Sequence, residues 1–356
     1  MIFQRSLGKL PLKITLMKIR IIVPVRYLQL ESESEVDFDG FSITDDRGRK
    51  LELLSSQVFR NELGLMNLRM ILENPVLYYE GESENLTLVK DCKTLTEIGD
   101  YVTLMLPRII DCLWFVQDNS CFVNTEFYES IDEEVVLMKS SGYTTTTSAG
   151  KYLPTVFTHE QLDLAFKIYC IIISVIDSGQ NELPHSVSPD SNNYSTVNPL
   201  NMREYNFKRH TIAINFFSLS RKESSPIKKI TFLVAVLEAL FSTKNTKQIS
   251  RKVPERASSF IGLSKEHVLW MYETIHKSYG IRSDYIHGNV VISNLEKLAA
   301  LCEALNEAAK MVLLKAFYEK DIFLPENKDK FGTHFAELVE KFKDVFPSEQ
   351  ERNKGE

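Results

Sequence analysis

Two side chains with catalytic potential stand near the end of an apolar helical pattern, in the sequence SYGIRSDYIHGN at residues 278–289. Arg282 and His287 lie five positions apart, and Gly288 follows directly. A histidine changes its charge near neutral pH, so His287 is suited to general acid–base catalysis. The planar, permanently charged guanidinium of Arg282 can bind two oxygens of an anion at once. An Arg-x4-His spacing is by itself a weak signal, because it often arises by chance.

The same residues also have a purely structural interpretation. Glu238 lies in the apolar sequence LVAVLEALF, where an unpaired carboxylate is costly. Arg282 would neutralise it, and Arg256 is the other candidate partner. His287 would end its helix where the macrodipole favours a cation, and Gly288 would supply the left-handed turn that follows. The residue types alone leave both interpretations open.

The elements that must position these residues are helices, because apolar residues recur every three or four positions after residue 155. We expect four long helices that form a bundle, at 158–179, 225–242, 264–288 and 293–320. Within the third of them, Arg282 and His287 flank the apolar stripe about 140° apart. Shorter helices are expected near 247–260 and 333–345. A polar, proline-rich loop is expected at 178–201.

The first 145 residues have a different pattern, typical of short strands separated by turn residues. Strands are expected at 18–30, 40–46, 50–56, 75–81, 86–91, 121–130 and 133–139. One main helix is expected at 95–118, with Thr96 as its N-cap and a kink at Pro107.

The predicted fold class is therefore α+β, with a change of pattern at the polar tract KSSGYTTTTSAGKYLP. A β-rich N-terminal domain with one main helix would cover residues 1–145. An all-α bundle would cover 150–325, and a C-terminal helix with a charged tail would cover 326–356.

The composition excludes several classes of protein. The five cysteines are scattered and never form a C-x-x-C pair, which argues against a disulfide framework and a zinc site. The apolar run at 168–176 is about half the ~20 residues that a membrane span needs. The N-terminus has no continuous apolar segment typical of a signal peptide, and Met17 is a plausible alternative start. We expect a cytoplasmic protein with no metal and no cofactor.

The charge of the chain is unevenly distributed. The net charge is −6, yet the segment 205–285 contains 14 Lys and Arg against 6 Asp and Glu. A basic segment in an acidic protein is either an electrostatic footprint for nucleic acid or a solvated lysine-rich face. No G-x-x-x-x-G-K phosphate loop occurs, which argues against an ATP-driven activity in this chain.

Three segments between residues 231 and 318 resemble the HEPN superfamily, in particular its Apea-like branch. FLVAVLEALF resembles the second-helix segment of that family, ERASSFIG its R-A segment, and YGIRSDYIHG its Y-x-iR-x-x-ivHG signature. The segments occur in the family's order and on predicted helices, over about 155–320. One position departs from the pattern: Ser283 stands where many nuclease members have Asn, Asp or His, although a serine can still donate and accept hydrogen bonds.

The resemblance implies a four-helix bundle of the HEPN type and a metal-independent endoribonuclease. Arg282 and His287 would be the catalytic residues. The supporting residues would be Ser283, Asp284, Tyr285, Glu238 and Arg256. Family members usually form a homodimer that brings two Arg-His pairs together, so the partners would be a second copy of the chain and an RNA substrate.

The resemblance leaves two functions open. One is a ribonuclease in phage defence or a toxin-like system, cutting single-stranded RNA such as tRNA or mRNA, with an N-terminal domain that senses a trigger or positions the substrate. The other is a non-catalytic HEPN domain that binds RNA or mediates dimerisation. The paired Arg282 and His287 favour the first, whereas Ser283 and the acidic net charge favour the second.

Overall fold

The computed structural model describes residues 17–347 apart from several gaps. The gaps are 33–35, 39, 87–88, 90–91, 141, 143, 178–208, 244–247, 290–293 and 325–326. Within the described residues the chain is a mixed α and β protein with eight strands and ten α-helices. The predicted loop at 178–201 lies outside the described residues.

Six strands form one antiparallel sheet in the order β3-β4-β5-β1-β6-β7. They are β1 (Lys18–Pro24), β3 (Val36–Phe38), β4 (Phe41–Thr44), β5 (Val76–Glu82), β6 (Thr125–Ser130) and β7 (Val135–Ser140). β2 (Leu28–Leu30) and β8 (Thr155–Phe157) form a second, two-stranded sheet. β1 pairs with β5 and β6, and all but its first residue are buried. Its nearly continuous apolar sequence follows from this central place, because both of its faces are covered.

Three helices, rather than one, occur among these strands. They are α1 (Arg47–Leu53), α2 (Gln57–Glu73) and α3 (Leu95–Val116). The prediction of a strand at 50–56 is wrong, because this stretch forms the end of α1 and the turn that leads to the N-cap of α2. Asp46 Oδ1 accepts a hydrogen bond from the Arg49 amide at 2.6 Å, and Ser56 Oγ accepts one from the Phe59 amide at 3.2 Å. These side chains cap the two helices, yet Asp and Ser are equally common in the turns that bound a strand.

The predicted main helix is present as α3, with Pro107 inside it. Its first turn is capped two residues earlier than expected, because Thr94 Oγ1, not Thr96, accepts a hydrogen bond from the Glu97 amide at 3.2 Å. The strand expected at 86–91 is not confirmed: Leu86 and Val89, its described members, lie outside any strand. The strands expected at 18–30, 40–46, 75–81, 121–130 and 133–139 are confirmed in position by β1 and β2, β4, β5, β6 and β7.

Seven helices follow the strands. They are α4 (His159–Asp177), α5 (Arg209–Lys222), α6 (Pro226–Phe241), α7 (Ile249–Ile261), α8 (Lys265–Ile286), α9 (Leu295–Tyr318) and α10 (Lys328–Lys341). All the helices expected in this half are present, and α5 is an additional one. α9 begins at a cap formed by Asn294, whose side chain accepts from the Lys297 amide at 3.1 Å. The expected cap residue Ser293 lies outside the described residues.

α6 is the centre of the helical packing, since it contacts α5, α7, α8 and α9. Its fully buried residues lie on one side, and all its other residues except Lys228 are partly buried, which matches its almost wholly apolar sequence. α5, which the sequence analysis missed, is therefore one of the helices that cover α6.

The described chain divides into two compact units. The first comprises residues 17–108, 123–142 and 156–159, and the second comprises 109–122, 143–155 and 160–347. The sequence analysis placed a single change of domain near 145–150, whereas the chain passes between the units several times. α3 contributes its first part to one unit and its last part to the other.

The two early segments of the second unit are fixed to its helices by a buried arginine. Arg221, on α5, is 1% exposed, and its Nη1 donates to the carbonyls of Asn119 at 2.5 Å and Thr146 at 3.0 Å. The rings of Trp114 and Phe217 lie 4.3 Å apart in the same unit. A buried guanidinium needs acceptors on several sides. The segments around Asn119 and Thr146 supply them.

Candidate active site

Arg282 and His287 lie at the C-terminal end of α8. His287 is the C-cap residue, and its amide donates a hydrogen bond to the carbonyl of Ser283 at 3.0 Å. Gly288 has a φ of +74°, the left-handed conformation that commonly follows a helix end. The structural part of the sequence interpretation is therefore confirmed, because His287 and Gly288 end the helix as expected.

Glu238 on α6 and Arg282 on α8 form an ion pair. Arg282 Nη1 donates to Glu238 Oε1 at 2.8 Å, and the two side chains are 28% and 20% exposed. This confirms the prediction that the carboxylate in the apolar LEAL sequence pairs with a nearby arginine. The pair leaves the guanidinium partly open to solvent while one of its nitrogens is held in place.

A buried tyrosine lies beside this pair. Tyr279 is 7% exposed, and burial raises the pKa of its phenol. The negative charge of Glu238 raises this pKa further, whereas Arg282 acts in the opposite direction. The Tyr279 hydroxyl therefore stays protonated near neutral pH and adds no negative charge beside the Glu238–Arg282 pair.

Two more arginines contact the same turn of α6. Arg256 Nη1 donates to the Phe241 carbonyl at 2.7 Å. Arg209 Nη1 donates to the carbonyls of Ala239 and Leu240 at 3.1 and 2.9 Å. Residues 238–241, called the α6 terminal turn below, thus meet three guanidinium groups. Carbonyls at a helix C-terminus carry partial negative charge and lack partners within the helix, so they attract cations.

Of the three arginines, Arg256 and Arg282 were predicted from the sequence and Arg209 was not. Arg256 supports α6 through a backbone carbonyl, whereas Arg282 is the partner of the Glu238 side chain. The sequence contained no signal for Arg209, because its acceptors lie 30 and 31 positions further along the chain.

The other predicted residues surround the end of α8. Ser283 is exposed and Asp284 is half-buried, while Tyr285 is 41% exposed. The Asp284 carbonyl accepts a hydrogen bond from the Asn289 amide at 2.8 Å, which continues the helix end beyond Gly288. These contacts are local, and none of them joins Ser283, Asp284 or Tyr285 to the Glu238–Arg282 pair.

The imidazole of His287 is exposed. Among the residues that the structure describes, it makes no hydrogen bond or ion pair, and so none with Arg282. One chain therefore supplies a held guanidinium and a solvent-facing imidazole near the end of one helix.

The described structure also bears on metal binding and on membrane insertion. Among the described residues, no three His, Cys, Asp or Glu side chains are grouped so that they could hold a metal ion. No helix within the described ranges is both long enough and apolar enough to cross a membrane.

Comparison with known proteins adds no relative. No family model, no curated protein and no solved structure matches the chain. A function is therefore inferred from the geometry around α6 and α8 and from the sequence segments described above.

We expect Glu238→Gln to lower the free energy of unfolding by roughly 1–3 kcal/mol, because a charge-assisted hydrogen bond to Arg282 is lost in a largely buried place. Urea unfolding of the purified protein measures this. Glu273→Gln is the matched control, because Glu273 pairs with Lys277 at 3.2 Å on the exposed face of α8. Its loss should change stability by less than about 0.5 kcal/mol. Equal effects of the two substitutions would contradict the assigned role of Glu238.

Proposed function

We propose that the chain is a metal-independent endoribonuclease of the HEPN type, which cuts single-stranded RNA by attack of the RNA's own 2′-hydroxyl. The observation that carries the proposal is the held guanidinium of Arg282, with the exposed imidazole of His287 at the end of the same helix. In this proposal the second unit contains a HEPN-like bundle in which α5, rather than the expected first helix α4, joins α6, α8 and α9, and the strands belong to a β-rich N-terminal part.

The reaction needs two kinds of assistance that these residue types provide. A proton must leave the 2′-hydroxyl, and another must reach the 5′ leaving oxygen; the imidazole of His287 is suited to such transfers near neutral pH. Negative charge gathers on the phosphoryl oxygens in the transition state, where a planar guanidinium such as that of Arg282 binds two of them. Glu238 would hold Arg282 in position for this.

No hydrogen bond or ion pair joins His287 to the Glu238–Arg282 pair within the described residues, and this supports a homodimer in which Arg282 of one copy and His287 of the other line a single cleft. Exposed apolar side chains around the end of α8 offer a surface for such packing: Tyr285, Ile286 and, at the start of α9, Leu295 are 41%, 54% and 69% exposed. Exposed apolar groups close together are typical of interaction surfaces.

The biological role proposed here is cytoplasmic phage defence or a toxin-like activity against tRNA or mRNA, with the N-terminal part sensing a trigger or positioning the substrate. The basic segment at 205–285, which includes α5 to α8, supports an RNA partner.

A non-catalytic HEPN module that binds RNA or dimerises is the second candidate. The observation in its favour is that both key residues have structural roles, since Arg282 neutralises Glu238 and His287 ends α8. Under this alternative the chain would bind RNA or self-associate but would not cut RNA.

The test is incubation of the purified protein with single-stranded RNA in EDTA. We expect cleavage to persist in the chelator and to leave a 2′,3′-cyclic phosphate and a 5′-hydroxyl, because the nucleophile is the 2′-oxygen. An RNA with a 2′-deoxy group at the scissile nucleotide, and DNA, should remain intact. Mass spectrometry of the products identifies the ends. Products with 5′-phosphates, or activity that depends on added Mg²⁺, would contradict the proposal, and binding without cleavage would favour the non-catalytic module.

A further inference from the structure

Arg209 and Arg256 lie together at the α6 terminal turn. Their guanidinium carbons lie 4.4 and 5.9 Å from the centre of one aromatic ring, that of Phe331 on α10. Each uses its Nη1 to donate to carbonyls of the turn. Both cations therefore lie at the same end of α6 and against the same aromatic ring, although Arg209 is on α5 and Arg256 is on α7.

The two cations lie close enough to affect each other. Burial lowers the pKa of both guanidinium groups, and the charge of Arg256 lowers the pKa of Arg209 further, whereas Glu255 raises the pKa of Arg256. Glu255 is itself paired with Arg251 at 3.1 Å. Within the described part of the chain, neither Arg209 nor Arg256 forms an ion pair with a carboxylate, and the helix carbonyls that hold them carry only partial negative charge.

The donors of these arginines are also not used up. A guanidinium has five N–H groups. The hydrogen bonds to the α6 terminal turn occupy one nitrogen of each arginine, and both side chains remain partly open to solvent. Partly buried, preorganised guanidinium groups with free N–H donors are suited to an oxyanion such as a phosphate, which they can bind with two parallel hydrogen bonds.

We infer that Arg209 and Arg256 form a phosphate subsite for the backbone of single-stranded RNA, beside the phosphate that Arg282 would bind. This inference rests on the proposed function, because it takes RNA as the ligand. The three arginines contact one helical turn, so the subsite adjoins the Glu238–Arg282 pair. A bound phosphodiester would place negative charge directly beside the two guanidinium groups. Arg209 and Arg256 would act as positioning residues that set where the strand crosses α6.

The test measures binding of the full chain to a single-stranded RNA that is 2′-O-methylated throughout and therefore cannot react. Affinity is followed across a series of salt concentrations, for the wild type and for Arg209→Gln and Arg256→Gln. Each lost phosphate contact should reduce the slope of log affinity against log salt by about 0.7. The control is Arg251→Gln, on α7 like Arg256, because Arg251 is already paired with Glu255 at 3.1 Å. We expect its slope to equal that of the wild type.

If the glutamine variants do not fold, the lysine variants Arg209→Lys and Arg256→Lys replace them in the test. These variants keep the positive charge near the α6 terminal turn. They should retain the wild-type slope but bind more weakly, because an ammonium lacks the planar pair of donors. Unchanged slopes in both glutamine variants, or unchanged affinity in both lysine variants, would overturn the subsite. A reduced slope with a wild type that never cuts RNA would reject the nuclease and keep the subsite. Cleavage by the wild type, together with unchanged slopes in the glutamine variants, would keep the nuclease and reject the subsite.

Discussion

Replacing His287 by alanine should lower the rate of RNA cleavage by about 10²–10⁴-fold, the usual contribution of a general acid or base. The imidazole is exposed at the end of α8 and engaged in no hydrogen bond or ion pair with the described residues, so it is accessible to a bound RNA. The expected loss falls on the chemical step, and affinity for a non-reactive RNA should change little. Single-turnover cleavage beside a binding measurement separates the two quantities.

A matched control for this prediction lies on the same helix. His276 is also an exposed histidine of α8, stacked on Tyr272 with ring centres 5.6 Å apart. His276→Ala should cleave at nearly the wild-type rate. If His287 serves only to end α8, His287→Ala would instead cost about 0.3–1 kcal/mol of stability and leave cleavage intact. That result would contradict the catalytic role.

Gly150→Ala should destabilise the second unit by roughly 3 kcal/mol or more, because two independent penalties coincide. Gly150 has a φ of +75°, a conformation that residues with a Cβ rarely adopt. A Cβ there would also lie 2.0 Å from the carbonyl oxygen of Ser224. Backbone cannot move aside as a flexible side chain can, and the Gly150 amide is further held by a hydrogen bond to Thr147 at 2.8 Å. Urea unfolding measures the change.

The control for Gly150 is Gly142. A Cβ at Gly142 meets nothing within 4 Å, and its φ is not in the left-handed range. Gly142→Ala should therefore leave the unfolding midpoint unchanged or raise it slightly, since alanine has fewer unfolded conformations than glycine. Similar losses for the two substitutions would show that the close approach at Gly150 is not what limits stability.

Much of the helical region was predictable, because local sequence determines it. The apolar periodicity of α8 and α9 and the Ser225–Pro226 start of α6 agree with the structure. The ion pair of Glu238 and Arg282 was also predictable, because an isolated carboxylate among apolar residues needs a partner.

Three helices were missed: α1, whose sequence was interpreted as a strand, and α2 and α5, which have identifiable physical reasons. α2 is interrupted at Gly64, which has a φ of +69° and a ψ of 166°, so its apolar residues follow no single helical period. α5 contains Thr, Ile and Ser residues of low helix propensity and follows a long polar stretch. Packing against α6 stabilises it where its own sequence does not. Arg209, on that missed helix, was missed with it.

The Arg221 contacts determine how much of the chain the helical unit needs. A fragment that starts at residue 150 would contain all the helices from α4 onward, but it would lack Asn119 and Thr146 and so leave a buried guanidinium without those acceptors. It would also uncover Phe217, which packs on Trp114. Such a fragment would expose apolar surface together with an unsatisfied charge, the combination that makes truncated proteins aggregate. The helical unit is thus discontinuous in sequence, and a fragment for biochemistry should retain residues 109–122 and 143–155 together with the helices from α4 onward.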